Sequence, residues 1–229
     1  MESLKEYFRD WLKVFNKEEF NNVLSRANTL YKKHLICPKQ EDVFKAFKLC
    51  RYEDCKCVFI GMDPYNDIYE GEPRATGILF GNNKNVIESK LSPSLKIVKD
   101  SCIDLHIPHN CITFDQTLES WAKQGILMIN SALTVEAWKA GSHTMLWRPF
   151  ISSMLKNMSQ INTGIIYVLF GSIAYTFKSY IGKFNDVIIE KHPAYYARVH
   201  EDMPSDVFYK VNELLKGKYG TTIKWYDEL

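Results

Sequence analysis

The sequence has no C-x-x-C pair. Its six cysteines, Cys37, Cys50, Cys55, Cys57, Cys102 and Cys111, are scattered, so no zinc or iron–sulfur site is expected. They read as reduced, mostly buried thiols of an intracellular protein. No strong excess of one charge is present either: 29 Lys and Arg face 27 Asp and Glu, for a net charge of +2. That falls well short of the surplus that announces a nucleic-acid binder, so any such contact needs a local patch. Residues 157–177 are uncharged, yet they contain Asn157, Gln160, Asn162, Thr163 and a Gly-Ser pair. This excludes a membrane span, and no membrane partner is expected. The start, Met1-Glu2-Ser3-Leu4-Lys5-Glu6, carries both charge signs and no apolar core, unlike a signal peptide. The expected location is therefore intracellular: cytoplasmic, or nuclear in a eukaryote. The glycosylation match at Asn157-Met158-Ser159 is then read as chance. No repeat, low-complexity segment or clear boundary divides the 229 residues, which are expected to form one domain.

What is present is an ordinary globular composition, 46% hydrophobic and 24% charged, sufficient for a sizeable core. Residues 1–56 read as a helical part. Phe8, Trp11, Leu12 and Phe15 recur at helical spacing, as do Val23, Ala27, Leu30 and Tyr31; Val43, Phe44 and Phe47 begin a third short helix. From residue 57 short apolar strands alternate with helices. The strands are Cys57–Ile60, Ile126–Ile129, Ile165–Phe170 and Val187–Ile189. Between them, Ser92-Pro93 opens a helix with Leu95, Val98, Cys102 and Leu105 inward. Leu118, Trp121 and Ala122 form a short helix closed by Gly125, and Phe150 to Met158 another. A helix from Gly171 is expected to stop at Gly182, and a last one from Pro204-Ser205 at Gly217. The pattern predicts an α/β fold: a central, twisted, four-stranded parallel sheet flanked by helices, in a single domain.

Each strand ends in residues suited to chemistry. Gly61-Met62-Asp63-Pro64-Tyr65-Asn66 follows the first strand. Pro64 pushes Asp63 out of the helical region, which leaves a carboxylate on a rigid loop where open α/β sheets place ligands. The same residues also suit a plain strand-end turn. Asn130 ends the second strand, either as a turn residue or as an amide offered to a ligand. Gly171-Ser172 can cap a helix or grip a phosphate. His192 follows the fourth strand.

Together these stretches resemble the ung-type, first family of uracil-DNA glycosylases. Gly61 to Asn66 is similar to its G-Q-D-P-Y-H box, Gly77-Ile78-Leu79-Phe80 to its G-L-A-F segment, and Pro93-Ser94-Leu95 to the end of its proline-rich loop. The stretch Trp121 to Val135, which contains Asn130, is similar to W-A-x-Q-G-V-L-L-L-N-x-x-L-T-V, and His192-Pro193 to the start of H-P-S-P-L-S. The likeness runs from about Trp11 to Trp225 in the family order.

The resemblance implies a monofunctional DNA-repair hydrolase, with no lyase step and no metal or organic cofactor. It would flip uracil out of single- or double-stranded DNA, a few kcal/mol uphill, and hydrolyse its bond to deoxyribose in base excision repair. Residues 57–229 would be the catalytic core. Asp63 would orient water and stabilise a cationic sugar, and His192, neutral in the family, would donate to uracil O2. Met62, Tyr65, Phe80 and Asn130 would bind uracil: Phe80 stacks on the base, and Tyr65 fills the space a thymine methyl needs. Asn130 donates to O4 and accepts from N3–H, a pattern that cytosine inverts. Ser94, Gly171, Ser172, Ala194, Tyr196 and Arg198 would face the DNA. The resemblance implies a monomer and a further partner, a protein inhibitor that mimics DNA.

The chain departs from the family at Met62 for Gln, at Asn66 for His, and at Ala194 and Ala197 where phosphate-touching serines are usual. Tyr196 stands in place of the leucine that fills the gap left by the flipped base; the readings open for it are wedge, core packing, or yielding that role to Tyr195. An alternative function is a glycosylase-fold DNA-binding or replication-partner module with weak or no activity, and a third reading is another base preference. The retained Asp63, Tyr65, Phe80, Asn130 and His192 argue for the enzyme and for uracil.

Overall fold

The computed structural model describes residues 4–103, 111–204 and 206–229. Leu105 and Ser205, expected on helices, and the first three residues lie outside the described residues.

Four parallel strands form the central sheet: β1 (Cys57–Gly61), β2 (Ile126–Asn130), β3 (Ile166–Phe170) and β4 (Asp186–Glu190), in the order β2-β1-β3-β4. The first three are buried on both faces, which is why they read as continuous apolar runs. On the edge strand β4, Ile189 is 47% exposed. Side chains alternate between two cores. Val58, Ile60, Leu127, Ile129, Tyr167 and Leu169 pack with the N-terminal aromatics and the helix Thr144–Ile161. Phe59, Ile126, Met128, Val168 and Phe170 pack with the helices Pro93–Cys102 and Asp206–Tyr219. Strand order reverses between β1 and β3, so the crevice for a ligand lies beyond their C-terminal ends.

The N-terminal part is helical, with local exceptions. A five-residue helix, Leu4–Phe8, passes into a 3-10 turn, Arg9–Lys13, so the aromatic spacing spans two kinds of helix. Asn16 caps the helix Lys17–Tyr31 by accepting from the Glu18 and Glu19 amides at 3.0 and 3.1 Å. Ile36–Cys37 pairs antiparallel with Val135–Glu136, fastening the N-terminal part to the loop after β2.

Two helix ends differ from expectation. The helix from Gly171 stops at Tyr175, and a 3-10 turn, Lys178–Tyr180, covers the remainder. The last helix runs through Gly217 to Tyr219, because Val211 and Leu215 remain buried and packing outweighs the poor helix propensity of one glycine. Its close comes at Gly220, whose amide donates to the Lys216 carbonyl at 3.1 Å.

Candidate active site

The β1 and β2 ends are sewn together past the last ladder pair, Gly61 opposite Asn130. Ser131 N–H donates to the Gly61 carbonyl and Ala132 N–H to the Met62 carbonyl, each at 3.0 Å. The Ser131 hydroxyl also reaches the Met62 carbonyl at 2.8 Å. A side chain at position 61 would push Leu79 and Asn130 out of place: a Cβ would lie 2.3 Å from Leu79 Cδ1 and 2.8 Å from Asn130 Oδ1. The close approach brings Asn130 and Asp63 to the walls of one cavity of about 310 Å³, which Met62, Tyr65, Phe80 and His192 also line.

Asp63 Oδ2 accepts the Gly141 amide at 2.6 Å. Burial pushes its carboxyl above the usual range, and the Gly141 N–H opposes that rise. Tyr65 donates its hydroxyl to the Phe80 carbonyl at 3.1 Å, so the two residues hold each other. Phe80 sits at φ +62, a left-handed conformation that surrounding structure must impose. Its loop is fixed by Asn82, which donates to Ser92 Oγ at 2.9 Å and accepts the Ser92 amide at 2.7 Å. The Phe80 ring meets Phe170 and His192 edge-on at 5.2 and 5.4 Å.

His192 Nδ1 accepts the Ala194 amide at 3.2 Å. The proton of the neutral ring is therefore on Nε2, free to be donated. Burial pushes its pKa from 6.5 down to about 4, so the neutral form holds through the physiological range. Gly171, at φ +87, makes room for this residue: a Cβ there would lie 3.0 Å from His192 Cβ. Asn130 is 8% exposed and its Oδ1 is buried, yet among the described residues no hydrogen-bond partner reaches it. A buried acceptor without a donor is costly unless a ligand supplies one.

The model of the Uracil DNA glycosylase superfamily matches residues 47–216. The chain belongs to this superfamily. It is 34% identical over 194 residues to Uracil-DNA glycosylase 1 of Listeria innocua, covering 83% of each chain. With the Uracil-DNA glycosylase of Campylobacter jejuni subsp. doylei it shares 33% identity over 225 residues, 96% of this chain and 91% of the relative. Among solved structures, the mimivirus uracil-DNA glycosylase aligns over 97% of this chain and 91% of its own, with TM-score 0.74 and 22% identity. A variant of mimivirus UNG in complex with UGI aligns over 98% and 95%, with TM-score 0.76 and 23% identity. These two likenesses concern the fold.

Beside the cavity, and sharing His192 with it, lies an open groove of about 680 Å³. Gly171, Ser172 and Arg198 line it, together with Tyr175, Lys191 and Tyr195. Lys191 Nζ stands 4.3 Å from the centre of the Tyr195 ring. Ala194 is exposed at the cavity mouth, whereas Ser94 is buried in the cavity wall. Tyr196 corrects the wedge expectation. It is 6% exposed, packs in the core and donates its hydroxyl to Glu190 Oε1 at 2.7 Å. The segment after His192 is a helix, Pro193–Val199, packed on Pro93–Cys102. Successive residues on a helix point about 100° apart, so Tyr195 faces the groove and Tyr196 faces inward.

Sequence reasoning missed the Gly141 amide on Asp63 and the Asn82–Ser92 pair. A backbone donor has no residue-type signature; this one stands on the loop Gly141-Ser142-His143. Behind that loop runs a buried chain: Trp147 Nε1 donates to Thr134 Oγ1 at 2.7 Å, and Thr134 lies 2.9 Å from His143 Nδ1.

Proposed function

We propose that this protein, a glycosylase-type hydrolase, excises uracil from single- and double-stranded DNA with Asp63 and His192 as its catalytic pair. The observation that carries this reading is the unpartnered Asn130 Oδ1 in a buried cavity with Asp63 and His192. Uracil N3–H would satisfy that oxygen while the Asn130 amide donates to O4. Cytosine would leave both groups unmatched. Phe80 would stack on the flipped base, and Tyr65, locked to the Phe80 carbonyl, would exclude a 5-methyl group.

As the glycosidic bond lengthens, positive charge grows on the sugar and negative charge on uracil O2. The Asp63 carboxylate faces the first and aligns the attacking water; the neutral His192 Nε2–H meets the second. Both groups are preorganised, which is where electrostatic catalysis has its effect. The groove with Ser172, Lys191 and Arg198 would hold phosphates in this reading, and Tyr195, which lines it, would enter the duplex in place of the buried Tyr196. A protein that imitates DNA would meet the same surface; the support is the mimivirus relative in complex with UGI. The residues proposed to handle uracil stand at the ends of the strands of one sheet or on the segments that follow them, all in one chain, which supports a single-domain protein acting as a monomer. The test is release of free uracil from single- and double-stranded oligonucleotides in excess EDTA. No release from either would overturn the reading.

A further inference from the structure

Of five tryptophans, Trp11, Trp121, Trp147 and Trp225 are buried, while Trp138 is 68% exposed. Trp138 is nonetheless firmly held. Its φ is +61, a region that residues with a Cβ avoid. Its amide donates to the Asn66 carbonyl at 2.8 Å, and the Lys139 amide donates to the Glu136 carbonyl at 3.0 Å. A glycine would take this conformation freely and would expose no large apolar ring. The fold alone therefore gives no reason for an indole here. Its location does: Asn66 and Ala140 both line the uracil cavity, and Gly141 holds Asp63. The ring stands in solvent on a backbone that is bonded to Asn66 and followed by Ala140, two residues of the cavity wall.

We infer that Trp138 is a stacking platform for a base neighbouring the uracil nucleotide on the substrate strand. This rests on the glycosylase reading. When one nucleotide is drawn into the cavity, its neighbours in the strand must lie at the rim. The face of an exposed indole accepts any base, so the platform is indifferent to sequence. It acts in binding rather than in bond breaking, and it favours single-stranded DNA, whose bases are free to leave their stack.

The test uses iodide quenching of tryptophan fluorescence, to which the exposed Trp138 is open and the four buried rings are closed. A single-stranded oligonucleotide with one uncleavable 2′-fluoro-deoxyuridine is expected to shield the quenchable signal, and free uracil is not. Trp138→Gly is expected to lose that signal and bind the oligonucleotide about tenfold more weakly, the loss of one base–aromatic stack. Its thermal midpoint should be unchanged or higher, and its inhibition by free uracil unchanged. Trp138→Phe should keep most of the affinity. Quenching unaffected by saturating oligonucleotide, Trp138→Gly binding as tightly as wild type, or shielding that grows with protein concentration without DNA would each overturn the proposal. Failure of the wild-type protein to release uracil would overturn the glycosylase reading instead, and the shielding measurement would still decide the role of Trp138.

Discussion

The cavity and the groove beside it share His192, but they are built to different standards. In the cavity, Asp63, Tyr65, Phe80 and His192 are each fixed by a hydrogen bond or by ring packing, and Asn130 is buried with one atom left for a ligand. In the groove, Ser172, Tyr175, Lys191 and Arg198 are exposed. Reading one base and stabilising charge both need fixed dipoles, whereas a phosphate backbone is held well enough by mobile cations. The departures from the family pattern fall on both sides. Ala194, Ala197 and Tyr196 lie on the helix that borders the groove, whereas Met62 and Asn66 line the cavity, where Asp63, Tyr65, Phe80, Asn130 and His192 are retained.

The sharpest way to break this comparison is at its fixed side. Asp63→Asn and His192→Ala should each lower single-turnover uracil release by about 100-fold or more, with binding of an uncleavable oligonucleotide preserved. Near-wild-type rates would sink the assignment. Next in size is Tyr196→Ala, which should destabilise the fold by about 3 kcal/mol in denaturant titration, as for other buried aromatics. Tyr195→Ala, at a half-buried ring, should cost less stability than Tyr196→Ala and lose more activity on duplex than on single strands. A stable Tyr196→Ala with a duplex-specific defect would reverse the two assignments.

The pH response sharpens the picture of the cavity. The single-turnover rate should fall on acidification through the raised pKa of Asp63, above the ordinary 3.8. No step should appear near 6.5, because His192 stays neutral down to about 4. The folded state refuses a proton that the unfolded state accepts below 6.5, so stability should decline as pH drops through that window. His192→Ala should lack that part of the decline; a clear step in rate near 6.5 would contradict the neutral imidazole. Smaller changes are expected in specificity and grip. Tyr65→Ala should admit thymine weakly, and Asn130→Asp should permit some cytosine release; no gain in either would mean that the pocket is misassigned. Arg198→Ala should weaken DNA binding a few-fold and lower the salt slope by about 1, as for one lost phosphate contact. An unchanged slope would remove Arg198 from the DNA surface.

The parallel sheet was legible because three strands are buried on both faces and so are written as unbroken apolar runs. The site was legible for a related reason: Asn130 ends the second strand, and Asp63 and His192 directly follow the first and the fourth, so strand ends pointed to all three. Helix ends were less legible. Gly217 carries a stop signal that the buried Val211 and Leu215 override. Tyr195 and Tyr196 are adjacent and alike, and nothing local distinguishes the groove-facing ring from the buried one.

By itself, the sequence determined which residue types stand at which strand ends, since strand periodicity and the residues that break strands are local properties of the chain. Only the tertiary structure decided how those ends serve one another. Gly141 reaches Asp63 across 78 positions of sequence, Asn130 Oδ1 is left without a donor among the described residues, and His192 is made neutral by burial. Each depends on what lies nearby in space, and the dielectric and hydrogen-bond environment of a group follows from packing rather than from its neighbours along the chain.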